Sequence, residues 1–150
     1  FLGLGIPSNL DAWDGYPAER NKLYKLMNSA NKKFISLAGD THNSWVSELE
    51  DLSGKKVGVE LGAPSVTSPG ITDILNLDKG QFVNSIVKIN KELQWMDPSN
   101  RGYLSLDCRK TKIIASFNFI KELERINPEI GSSQSFVLLQ EEFGLEKIKA

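Results

Sequence analysis

Phe34-Ile35-Ser36-Leu37-Ala38-Gly39-Asp40-Thr41-His42-Asn43-Ser44-Trp45 joins an apolar strand pattern to the residues with the strongest chemical signal in the chain. Phe34 to Ala38 is short, apolar and rich in strand-forming side chains, which predicts a buried strand. Gly39 then lets the backbone turn sharply, and Asp40 and His42 are expected to project from one side of the exit loop. His42 is the single histidine of the chain. A carboxylate oxygen and a neutral imidazole nitrogen two residues apart form a mixed donor pair that suits a hydrolytic metal centre. By residue type alone, the same pair is more often a structural hydrogen bond between aspartate and histidine than a set of ligands.

Working outward, the pattern is one of strands and helices without an internal repeat, a low-complexity tract or a dividing linker. Pro17 suits a first helical turn, and Leu23, Leu26 and Met27 follow with apolar spacing, predicting an amphipathic helix over Ala18 to Asn28. Asp14 stands ready to serve its N-terminus. A strand through Trp45, Val46 and Leu49 and another through Val57, Val59 and Leu61 flank the Leu52-Ser53-Gly54-Lys55 turn. Phe82, Ile86 and Ile89 place a helix over Asp78 to Lys91. Trp95-Met96, Gly102 to Cys108, Lys112 to Phe119 and finally Phe136 to Leu139 read as strands. The Glu141-Glu142 and Glu146-Lys147 charges are expected on a solvated helix face. Strands and helices followed by an antiparallel meander give an α/β class with mixed sheets.

Composition narrows the function classes. The 150 residues are 40% hydrophobic and 25% charged, enough for one ordinary core. A net charge of −1 offers no basic surface for nucleic acid. The chain has no apolar run of about 20 residues, the length a membrane helix requires. Cys108 has no second cysteine to bridge with and is expected to be a small buried residue of its strand.

Four segments, in order, carry a resemblance. They are Leu10-Asp11-Ala12-Trp13-Asp14-Gly15-Tyr16-Pro17-Ala18-Glu19-Arg20; Gly39-Asp40-Thr41-His42-Asn43-Ser44-Trp45; Val57-Gly58-Val59-Glu60 with Gly62-Ala63-Pro64-Ser65-Val66-Thr67-Ser68-Pro69-Gly70; and Arg101-Gly102-Tyr103-Leu104-Ser105-Leu106-Asp107. In sequence and spacing the chain resembles the C-terminal half of PhoD-type alkaline phosphatases, within the calcineurin-like metallophosphatases. The resemblance implies the C-terminal part of a four-layer αββα sandwich, with residues 1–150 forming one portion of a single domain and the N-terminal half absent. It implies a metal-dependent phosphoric ester hydrolase, acting as phosphatase or phosphodiesterase, that uses ferric iron (Fe3+) and calcium (Ca2+). Asp40 and His42 would be its last metal ligands, and the isolated chain is expected to be inactive. An exported location is implied as well, although no signal segment is visible. The chain begins with Phe1 rather than Met, and a preceding segment holding the other ligands is expected.

Around that pair stand further candidates. The Asn43 amide is placed to orient a substrate oxygen, or else to cap backbone groups. By resemblance Asp14 and Tyr16 lie near the pocket, Asp14 as an outer acceptor or calcium contact; alternatively the aspartate caps a helix and the aromatics pack. Ser65, Thr67 and Ser68 are candidate phosphate donors, or they satisfy their own backbone. Arg101 is either a bidentate phosphate clamp or a surface or ion-pairing residue at a strand start. Two other classes stay open. One is a non-catalytic binding remnant of the same fold. The other is a purple-acid-type phosphatase or nuclease, which would place two histidines in the last motif where this chain has Asp40.

Overall fold

The computed structural model describes residues 12–124, 126, 129–139 and 145–148, the last as backbone only. Within these lie three α-helices and eight strands. Helix α1 is Pro17–Ser29, α2 Ile71–Ile74 and α3 Lys79–Ile89. The strands are β1 Phe34–Ala38, β2 Ser44–Glu50, β3 Lys56–Gly62, β4 Leu93–Asp97, β5 Gly102–Cys108, β6 Lys112–Ile120, β7 Ile130–Leu139 and β8 Leu145–Ile148. They form two four-stranded sheets, ordered β1-β3-β2-β4 and β5-β6-β7-β8. The first is mixed, with β1 parallel and β2 antiparallel to β3. The second pairs each strand antiparallel to the next.

The chain divides into two compact units. One comprises residues 1–38, 45–62 and 78–96, and the other 39–44, 63–77 and 97–150. In the first unit, Tyr24 of α1 packs with Leu49, Val57 and Phe34. A second cluster joins Trp45, Leu93 and Met96 with Ala38, Phe82 and Ile86, the last two from α3. The helix face of α1 is therefore rotated from the expected one: Tyr24 is buried and Leu26 is exposed. Ile89 of α3 is likewise exposed. Leucine and isoleucine periodicity alone cannot fix which side faces the sheet, because the large aromatic ring buries more area than either.

In the second unit β6 alternates strictly. Ala115, Phe117 and Phe119 are buried, and Phe117 meets Phe136 edge to face with centroids 6.0 Å apart. On the other face Ser116 Oγ lies 2.8 Å from Ser135 Oγ, and Asn118 Nδ2 donates to Ser105 Oγ at 3.1 Å. Period-two alternation of this kind is what a sheet with one apolar face requires. Three expectations are corrected here. Strand β7 begins at Ile130, six residues before the expected start. Glu146 and Lys147 lie on β8, an edge strand, rather than on a helix; Glu141 and Glu142 lie outside the described residues. Cys108, expected buried, is exposed at the end of β5.

The turn between β2 and β3 carries the first prediction. Asp51 accepts from Ser53 Oγ at 2.6 Å, Ser53 N at 2.9 Å, Lys55 N at 3.0 Å and Asn28 Nδ2 at 2.7 Å. These bonds, led by that of the Ser53 hydroxyl, lower its pKa from 3.8 to about 2. A depressed acid stabilises the fold above its unfolded value and loses that contribution as pH falls through the folded value. An NMR titration should therefore give Asp51 a midpoint near 2, and Ser53→Ala should raise it. A midpoint at 3.8 in the parent would contradict this turn.

Candidate functional site

Gly39 to Asn43 connects β1 to β2, and the backbone there is unusual. The left-handed conformation falls on Asp40 (φ 69°) and His42 (φ 59°), not on Gly39, which has no positive φ. Aspartate and histidine tolerate this region better than most residues, yet two such positions within three residues are held only when the surroundings enforce them. Asp40 is exposed and His42 partly so.

The imidazole is held by one backbone contact. His42 Nδ1 lies 3.0 Å from the Pro69 carbonyl oxygen. A carbonyl only accepts, so Nδ1 carries the proton, and in the neutral ring Nε2 then carries the lone pair. That is the tautomer a metal-ligating histidine takes when its other nitrogen is anchored. The donor set of Asp40 carboxylate and His42 Nε2 suits a borderline cation such as iron, whereas calcium would take the carboxylate alone. Two ligands do not complete a coordination shell. No cluster of three or more His, Cys, Asp or Glu able to hold a metal occurs among the described residues.

Asn43 uses both ends of its amide on backbone. Its Nδ2 donates to Thr41 O at 2.6 Å, and its Oδ1 accepts from Ile71 N at 3.4 Å. It caps backbone groups, the alternative reading of its residue type. Arg101 is a buried, ion-paired residue, the second of its two readings. Its side chain is 3% exposed and ion-paired to Asp73, and Nη1 donates to the Ser99 and Asn100 carbonyls at 3.0 and 3.3 Å. Ser65 Oγ donates to Ser68 O at 2.5 Å, which is the backbone-satisfying reading, while Thr67 is exposed.

Asp14 and Tyr16 belong to the other unit. Asp14 does not cap α1, whose N-cap is Tyr16 and has no side-chain cap. It is buried and paired with Arg20 Nη1 at 2.8 Å. Burial pushes its pKa up, opposed by the Arg20 guanidinium. Its second oxygen, Oδ2, has no hydrogen-bond partner among the described residues. Tyr16 is exposed and lines a surface groove of about 380 Å³ with Ala12, Trp13 and Glu19. Sequence reasoning missed Thr41 and Ser44, whose buried hydroxyls have no partner among the described residues. It also missed Asp73 and the Pro69 carbonyl. A hydroxyl-bearing run beside a candidate ligand was the available signal for the first two; no signal marked the others.

Residues 3–117 match the family model of the PhoD-like phosphatases. The chain belongs to the PhoD-like phosphatase family. Over 147 residues it is 30% identical to alkaline phosphatase D of Bacillus subtilis (strain 168), a match covering 95% of this chain and 24% of that protein. The chain thus spans about a quarter of the length of the relative it matches. A solved structure of PhoD superposes with a TM-score of 0.75 at 23% identity, over 99% of this chain and 29% of that one. The mixed and antiparallel sheets are those of a portion of the PhoD fold, as the sequence resemblance implied.

Proposed function

We propose that this chain supplies the last metal-binding loop of a longer PhoD-like enzyme that hydrolyses phosphoric esters, with Asp40 and His42 as ligands. The observation that carries the reading is the anchoring of His42 Nδ1 on the Pro69 carbonyl at 3.0 Å, which assigns the lone pair to Nε2. Family membership supplies the reaction class. The metals implied by the family are ferric iron and calcium, and bound there they would offset phosphoryl charge and acidify the attacking water. Water adds to phosphorus in line, the P–O ester bond breaks, and the alcohol leaves with a proton as phosphate is released. Within this chain, the Asp40 carboxylate and the His42 imidazole hold position, and Asn43 keeps their loop closed through Thr41 and Ile71. Neither Arg101 nor Ser65 contacts substrate in this reading, since both are committed to internal partners.

Removal of metal tests it. The longer protein, stripped with a chelator, should lose aryl phosphate mono- or diester hydrolysis by roughly 10³-fold and recover it with iron and calcium, because the cations supply several kcal/mol to such reactions. Hydrolysis indifferent to chelation would refute the metal role. Absence of hydrolysis under every metal condition would favour the non-catalytic alternative.

A further inference from the structure

The Pro69–Gly70 peptide is gripped from both sides. Its carbonyl accepts from His42 Nδ1–H at 3.0 Å. Its N–H, on Gly70, donates to Asp73 Oδ2 at 3.1 Å. That same oxygen receives Arg101 Nη2, and the Arg101 backbone is fastened to β6 by Ile120 N at 2.8 Å from its carbonyl. A peptide unit is planar, so fixing the N–H fixes the direction of the carbonyl. Hydrogen bonds in series also polarise one another, which strengthens the carbonyl as an acceptor.

We propose that Arg101 and Asp73 are positioning residues for His42: through the Pro69–Gly70 peptide plane they hold the imidazole as the Nδ1–H tautomer and so reserve Nε2 for the metal. This rests on the proposed role of His42 as a ligand. The brace explains why a guanidinium is 3% exposed in a loop-rich region with an acidic partner 37% exposed. It also explains Gly70. A Cβ there would lie 2.6 Å from Pro98 O, 3.0 Å from Asn43 Oδ1 and 3.1 Å from Arg101 Nη2, so any side chain would push the braced peptide out of place. Asn43, accepting from Ile71 N, secures the next peptide of the same segment.

The test reads the tautomer directly. His42 is the only histidine of these 150 residues; in the longer protein its 15N imidazole signals are assigned by their loss in His42→Asn and recorded where the ring is neutral. The parent should show a protonated Nδ1 and an unprotonated Nε2. In Asp73→Ala and Arg101→Gln the tautomer ratio should shift towards Nε2–H by up to roughly fivefold, the change that loss of one ordinary hydrogen bond produces. Arg101→Lys, which can still pair with Asp73, should recover part of it. A merely structural brace would lower the melting temperature and leave the ratio unmoved, and that result in the folded variants would overturn the proposal. Should Arg101→Gln or Asp73→Ala fail to fold, Asp73→Asn decides, because its amide keeps the shape of the side chain and an acceptor for the buried guanidinium while removing the charge that polarises the peptide, and the same shift towards Nε2–H is expected. A tautomer that responds in a protein that binds no metal upholds the brace and removes the ligand role of His42, so the two failures are distinguishable.

Discussion

Asp40→Asn and His42→Asn, each made in the longer enzyme proposed above, should lower kcat/KM by roughly 10²- to 10⁴-fold, or about 3 to 5 kcal/mol of transition-state stabilisation. Asparagine is the informative replacement. Both residues occupy the left-handed region, at φ 69° and 59°, and asparagine adopts it readily, whereas His42→Ala would add a backbone cost to the chemical one. Asp40→Asn keeps the shape of the side chain and removes its charge; His42→Asn keeps the backbone and removes the imidazole. Since Asp40 is exposed and His42 only half-buried, melting temperatures should move little. Steady-state kinetics beside thermal denaturation checks the prediction, and near-parental turnover in either variant would sink the ligand assignment.

Trp45→Ala should be the most destabilising single truncation in the first unit, by about 3 to 5 kcal/mol. The indole is 0% exposed and forms a buried cluster with Leu93 and Met96 of β4, against which Phe82 and Ile86 of α3 pack. It faces Gly62 in the β2–β3 register, and a Cβ at Gly62 would lie 2.1 Å from the ring. Its Nε1 donates to Glu60 Oε1 at 2.8 Å within the sheet, so truncation also removes a bond to a buried carboxylate. Gly62→Ala should cost less, about 1 to 3 kcal/mol, because it overfills the site rather than emptying it. Urea denaturation orders the two. A Trp45→Ala loss below that of Gly62→Ala would mean that the indole is not the keystone of this cluster.

Elements with a strong period were legible in the sequence. The run Phe34 to Ala38 is a strand with the expected bounds, although it is an edge strand with Leu37 exposed rather than the buried strand expected, and the helix read over Asp78 to Lys91 is α3, with Asp78 its N-cap accepting from Gln81 N at 2.8 Å. What escaped was structure whose cause lies elsewhere in the chain. The first half of β7, Ile130-Gly131-Ser132-Ser133-Gln134, carries almost no apolar signal and is a strand because β6 pairs with it. Tertiary pairing overrides propensity there. Asp14 looked like a helix cap three residues ahead of Pro17; Arg20, one turn into α1, captured it instead. At the candidate site the proposed ligands Asp40 and His42 were visible as residue types on a strand exit. The contacts around His42 were not, because Pro69 enters through a carbonyl, which every residue has, and Asp73 and Arg101 are separated by 28 positions. Gly39 shows the limit of local rules: it permits a left-handed turn, and the chain places that turn on Asp40 and His42.

An anomalous diffraction map of the longer protein, crystallised with iron and calcium, decides whether Asp40 and His42 are ligands. It should place metal density bonded to Nε2 of His42 and to a carboxylate oxygen of Asp40, with Nδ1 still on the Pro69 carbonyl. Metal bound elsewhere, with His42 and Asp40 making no contact to it, would refute the ligand assignment.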